Sequence, residues 1–381
     1  MKHAALVLVL AAATISGCGA KPDVAAINTQ TSIQPAKIEL FLAPSGKLSS
    51  KISGHAGVKA RAVNANDPVR IASISKLVTA IAVMRLADQG KIDLDRDVSA
   101  YLGWRVRNPA FADNVVTMRM LLSHQSSITD AADYILPLDG ELSAVLGKPD
   151  SWDNAHAPGS YFRYANLNFP LVAAVMESAV GERFDRIMAR EVFAPLKLDA
   201  CFNWQTSCSA GRREQAITLL RPNGDLAKDA PLKQGTQECA FVRSRDGRCD
   251  IDIYQIGRNG SAFSPQGGLR ISANDLLIIG KVLRDEGKPL LSPKTFSEMT
   301  RPQWTFNGQN GDDEKGAFKS FGLGVHIETD SKGARWIGHI GDAYSLRAGL
   351  WINPKTKETQ VKITTMVNEF APVGNCLEVC P

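Results

Sequence analysis

The stretch Arg70-Ile71-Ala72-Ser73-Ile74-Ser75-Lys76-Leu77-Val78-Thr79-Ala80-Ile81-Ala82-Val83-Met84-Arg85 decides how the rest of the chain is read. Ile74, Leu77, Val78, Ile81 and Met84 recur at helical spacing on one face, and Gly90 stands where such a helix would stop. Ser73 falls at its first turn. Lys76, three residues on, lies on the same face, with the two Cβ atoms about 5–6 Å apart. A serine hydroxyl is a weak nucleophile until a neighbour takes its proton, and the free N–H groups of a helix N-terminus favour negative charge developing beside it. Alone the pair says little, since Ser73 could equally cap its helix and Lys76 could be a solvated first-turn cation.

Outward from this helix the pattern changes to strands. Upstream, Ile38, Leu40 and Leu42 alternate with other residues, Pro44-Ser45-Gly46 offers a turn, and Leu48 to Ile52 alternates again, which predicts a hairpin. Downstream, residues from about 90 to 255 mix helical patterns with Pro/Gly-rich connections. They include an apolar helix from Leu167 to Val180 ended by Gly181. Near the C-terminus, Trp336–Ile340, Ala348–Ile352 and Gln360–Val367 read as three strands joined by short turns such as Asn353-Pro354-Lys355. Strands at both ends with helices between them predict one sheet built from both termini and an inserted helical lobe, with a site in the cleft between them.

Two further motifs keep the serine and lysine company. Tyr164-Ala165-Asn166 directly precedes the apolar helix, and His339-Ile340-Gly341 lies on a predicted strand. In these motifs the chain resembles the serine β-lactamase and DD-peptidase superfamily, in its class C-like branch, which is recognised by S-x-x-K, Y-x-N and K/H-x-G in this order. Flanking text agrees in Met120-Leu121-Leu122-Ser123-His124, Ser264-Pro265-Gln266-Gly267-Gly268-Leu269 and Phe321-Gly322-Leu323-Gly324, and the resemblance covers about residues 38 to 370. It implies an α/β (α+β) fold of the β-lactamase/transpeptidase type, an antiparallel sheet flanked by helices plus a mainly helical lobe. The sheet lobe is expected over 37–90 and 255–381 and the helical lobe over 91–254.

The resemblance also implies roles. Ser73 is the acylated nucleophile, and Lys76 and Tyr164 are the pair that moves its proton, either of them being the base. Asn166 binds a substrate amide and orients the lysine. His339 replaces the lysine of the commoner third motif, Gly341 keeps the strand clear where substrate lies, and the backbone N–H groups of Ser73 and Asp342 form the oxyanion hole. The expected activity is hydrolysis of an ester or amide, D-amino-acid peptides included, through an acyl-enzyme, with no metal or organic cofactor. β-Lactamase, DD-carboxypeptidase and a non-catalytic envelope peptide-binding lipoprotein are the alternatives. Neither a G-x-S-x-G elbow nor H-E-x-x-H is present, which removes the α/β-hydrolase and the zincin readings.

Asp342 stands where many relatives carry a serine or threonine that helps hold a substrate carboxylate. Two like charges about 4 Å apart at an effective dielectric of about 20 repel by about 4 kcal/mol, so Asp342 disfavours anionic substrates unless Arg347 or a protonated His339 neutralises it.

At the N-terminus, Met1-Lys2-His3, an apolar run from Ala4 to Ala13 and the small residues Ser16 and Gly17 form the layout of a secretory signal over residues 1–17. Ile15-Ser16-Gly17-Cys18 resembles a bacterial lipobox, which makes Cys18 the lipidated residue. Gly19 after it points by analogy to the outer membrane, on its periplasmic side. Residues 18–36 read as a tether, ahead of a hydrolase domain over 37–381. Membrane contact is expected through the lipid alone. The other six cysteines read as disulfides, with Cys201–Cys208, Cys239–Cys249 and Cys376–Cys380 the pairs closest in sequence. A net charge of +5 spread along 381 residues, without basic blocks interleaved with aromatics, gives no reason to expect nucleic acid, and the small-molecule or peptide substrate is what the resemblance implies.

Overall fold

In β1 (Lys37–Leu42) the side chains of Ile38, Leu40 and Leu42 are buried, the period-2 pattern of a strand with one face on the core. It turns through Pro44-Ser45-Gly46 into β2 (Leu48–Ser53), whose residues are all exposed, as suits an outer strand. The computed structural model describes residues 33–57, 61–228, 239–368 and 379–381. These belong to one unit spanning Ile33–Pro381. Cys18, the signal-like segment and Cys376 lie outside the described residues. Ala36, at the end of the expected tether, is already docked: it is buried and exchanges hydrogen bonds with Thr365.

The other strands follow in order. β3 (Val69–Arg70) pairs with β6 (Arg270–Ile271), and β4 (Leu219–Leu220) pairs with β5 (Leu226–Lys228). β7 (Trp304–Thr305), β8 (Ser320–Phe321), β9 (His326–Thr329), β10 (Arg335–Ala343), β11 (Leu346–Ile352) and β12 (Thr359–Thr365) complete the main sheet. Its eight strands run β2-β1-β12-β11-β10-β9-β8-β7, antiparallel throughout, so both ends of the chain do build one sheet. Ile38 lies opposite Ile363, and Leu40 opposite Val361.

Two helices fix the site. Ile74–Asp88 is buried around almost its whole circumference, Lys76 and Thr79 included, because Ala80, Ala82 and Val83 fill the face opposite the apolar one read from sequence. Asn168–Val180 begins two residues after Asn166 and ends at Gly181, whose left-handed φ of 70° suits a residue without a Cβ. The helix Ala273–Arg284 packs on β11 and β12. The disulfides Cys201–Cys208 and Cys239–Cys249 are formed, with Cα separations of 5.1 and 5.6 Å.

Candidate active site

β3 delivers the chain to Ser73 through a strained corner. Ala72 has φ +49, the left-handed region that L-residues other than Asn and Asp seldom occupy, and the helix begins immediately after Ser73. Ser75 holds the corner closed. Its Oγ donates to Ala72 O at 2.7 Å and accepts from Leu269 N at 3.0 Å, so Ser75 is buried in the frame of the site. Ser73 sits at the N-cap position, yet its hydroxyl makes no capping hydrogen bond. It is bonded instead to Lys76 Nζ at 2.9 Å and to Tyr164.

Lys76 is fully buried, and Nζ also donates to Asn166 Oδ1 at 2.8 Å and Gln266 O at 3.0 Å. Burial pulls its pKa from 10.5 to about 7, against the opposing charge of Asp130. Near neutrality the amine is therefore available in its free-base form. The phenol of Tyr164 moves the other way: burial pushes it up, and its hydrogen bond with Ser73 only partly offsets that.

The Y-x-N turn is pinned by a residue that sequence reasoning missed. The Asp130 carboxylate accepts from Asn166 N at 2.8 Å, Asn166 Nδ2 at 2.9 Å and Leu167 N at 2.9 Å, which fixes Asn166 Oδ1 toward the lysine. His124, whose place in the sequence suggests a structural or surface residue and no ligand, supports the same turn from within the core. It has φ +56, and its ring stacks on Tyr164 at 4.4 Å between centroids. Its Nδ1 accepts from Ala165 N at 3.1 Å and lies 3.1 Å from Asn168 Nδ2. Burial and the nearby Lys76 hold this imidazole well below the ordinary histidine range, so it is neutral.

The cleft in front of Ser73 has a volume of about 690 Å³, and Tyr164, Asn166 and Asp342 line it. His339 and Gly341 do not. His339 is fully buried, with Nδ1 2.6 Å from Ile340 O and its ring against the edge of Phe321; burial first and Lys76 second keep it uncharged. It belongs to the wall behind the lysine, because the strand turns it inward from the cleft. Gly341 is required for another reason than the expected clearance for substrate. A Cβ there would stand 2.3 Å from Ile71 O, so β10 and the corner before Ser73 can meet this closely only at a glycine. Asp342 faces Arg347 across the β10–β11 ladder, with Nε 3.4 Å from Oδ2. The neutralising partner that would undo the anion-repulsion argument is therefore in place, and that argument falls.

A strained serine corner, a buried lysine on its hydroxyl and an eight-stranded antiparallel sheet define a class. The Beta-lactamase family model matches residues 40–375, and the chain belongs to that family of serine hydrolases. Among curated proteins, "D-alanyl-D-alanine-carboxypeptidase/endopeptidase AmpH" of Escherichia coli (strain K12) is 28% identical over 141 residues, 34% of this chain and 34% of that protein. "Protein flp" of Staphylococcus aureus (strain N315) is 24% identical over 131 residues, 34% of this chain and 26% of that protein. The matched part thus spans about a quarter to a third of these relatives. Solved structures share the fold. The octameric penicillin-binding protein homologue from Pyrococcus abyssi aligns with TM-score 0.66 at 18% identity, covering 88% of this chain and 70% of that one. D-amino acid amidase from Ochrobactrum anthropi SV3 aligns with TM-score 0.62 at 16% identity, covering 87% and 86%.

Proposed function

We propose that this chain hydrolyses an ester or amide through a covalent intermediate on Ser73, with Lys76 as the base. One observation carries the reading: Lys76 Nζ lies 2.9 Å from Ser73 Oγ in a burial that brings its pKa to about 7. The free amine takes the hydroxyl proton as Oγ bonds to the carbonyl carbon, and the carbonyl electrons move onto its oxygen, beside the backbone N–H groups of Ser73 and Asp342. Collapse expels an alcohol or amine, which takes the proton back from Lys76 by way of the Tyr164 phenol. Water then cleaves the acyl ester and frees Ser73. The raised pKa of Tyr164 suits a relay that stays protonated better than a base.

The Asp342–Arg347 pair favours a second reading, since an aspartate so countered admits carboxylate-bearing β-lactams and D-alanyl peptides. A non-catalytic binding protein has no need of a lysine buried on a serine hydroxyl. The test is direct: the protein is mixed with a chromogenic cephalosporin and, separately, with a slowly hydrolysed 4-nitrophenyl ester, quenched and digested. An acyl mass increment on the Ser73 peptide is expected; turnover with the increment elsewhere would overturn the assignment.

We further propose that Cys18 carries a lipid and holds the chain on the periplasmic side of a bacterial outer membrane. The lipobox-like run and two disulfides, bonds that persist in oxidising compartments, support this. Cys18→Ser is expected to move the protein from the membrane to the soluble fraction and abolish palmitate labelling. An unchanged membrane fraction would count against the anchor.

A further inference from the structure

The cleft continues past the reacting hydroxyl into a wall of Tyr134, Phe202, Trp204, Phe241 and Phe263. Each disulfide braces part of it: Cys201–Cys208 closes the loop that holds Phe202 and Trp204, and Cys239–Cys249 closes the loop that holds Phe241 and Val242. The rim is apolar too. Ile135, Leu226 and Val242 are 44%, 50% and 44% exposed, and these three of the seven large exposed apolar side chains among the described residues all line this one cleft. Clustered exposed apolar surface of this kind marks a binding site more often than chance.

The charged groups in the cleft are engaged in its frame. Arg70 Nε donates to Gly267 O at 2.8 Å and its guanidinium lies 4.8 Å over the Tyr344 ring. Arg270 donates to Phe202 O and Gly268 O and lies 5.5 Å over Trp204. Asp342 has Arg347. After attack, the acyl group is tethered to Ser73 Oγ and must lie in the space that Ser73 borders, about 690 Å³, the size of a small-ligand pocket.

We propose that this disulfide-braced wall is an acyl-group subsite, and that the substrate carries a bulky, apolar, uncharged acyl group, aromatic or aliphatic. The inference rests on the acyl-enzyme reading above and adds the chemical class of the acyl part. No charge is needed in the subsite, and the bare rim at Val242 and Leu226 guides the group in.

The test uses the full chain and 4-nitrophenyl esters with a constant leaving group: acetate, hexanoate, phenylacetate and the hemiglutarate, which ends in a carboxylate. Hexanoate and phenylacetate are expected to exceed acetate in kcat/KM at least tenfold, as several buried methylenes imply, while hemiglutarate stays near acetate. Val242→Asp should remove most of that gain, seen as a several-fold fall in the ratio of hexanoate to acetate kcat/KM. Equal rates for acetate and the two bulky esters would overturn the subsite. So would hemiglutarate matching hexanoate, which would mean that the arginines bind a carboxylate, or Val242→Asp slowing every ester alike. If no ester is turned over, the ester part of the hydrolase reading fails by itself. The subsite is then judged by calorimetry of Ser73→Ala with hexanamide and acetamide, where tighter binding of the larger amide upholds it and equal or absent binding refutes it.

Discussion

Ser73→Ala is expected to lower kcat/KM on every substrate by about 10³-fold or more, a loss on the order of 4 kcal/mol of transition-state stabilisation. The fold should survive. The hydroxyl makes no capping bond, so alanine removes no contact that the helix Ile74–Asp88 depends on, and the corner at Ala72 is held by Ser75. Substrate binding should survive as well, because the cleft lining is otherwise unchanged. The informative measurement is therefore a pair, kcat/KM and the melting temperature. Lost turnover at an unchanged melting temperature identifies Ser73 as the nucleophile, whereas full retention of activity would remove the mechanism.

Lys76→Met should cost about as much activity and, unlike the serine change, should alter stability in a pH-dependent way. The lysine has a folded-state pKa of about 7 and an unfolded-state value of 10.5. Between those values the unfolded chain binds the extra proton, so wild-type stability rises with pH in that window and is lowest below about 7. Methionine has no such dependence. Relative to the variant, wild type should therefore gain on the order of 2 kcal/mol between about pH 7 and 9, read from denaturant midpoints at the two pH values. Activity carries the matching signature. With Lys76 as base, wild-type kcat/KM climbs through about pH 7 as the ammonium loses its proton; a fall through the same range would instead assign the base role to Tyr164 and keep Lys76 as a cation.

Much of this was legible in the chain itself, for identifiable reasons. The helix from Ile74, the hairpin from Ile38 and the strands around His339, Ala348 and Val361 carry strong local periodicity, and S-x-x-K and Y-x-N are contiguous motifs. β7, β8 and β9 were not individually readable, since two to four residues hold too little pattern and their pairing partners supply the order. Asp130 escaped because its role is to accept three N–H groups more than thirty residues away, which no spacing rule encodes. His124 stood within a flanking stretch already noted, yet its stacking on Tyr164 exists only in three dimensions. His339 shows the limit of strand logic: alternation says which face a side chain takes, and it does not say whether that face meets the cleft or the back of a lysine.

The pairing of β1 with β12 has a consequence for the life history of the protein. Lys37 and Thr364 are register partners, so the sheet stays incomplete until two segments more than three hundred positions apart in the chain have met. Until β10 and β11 join it, nothing presses against the corner at Ile71, and the lysine beside it is hydrated, charged and idle. The polypeptide thus acquires reactivity only once its sheet has closed, and one nick that freed β11 and β12 would switch it off.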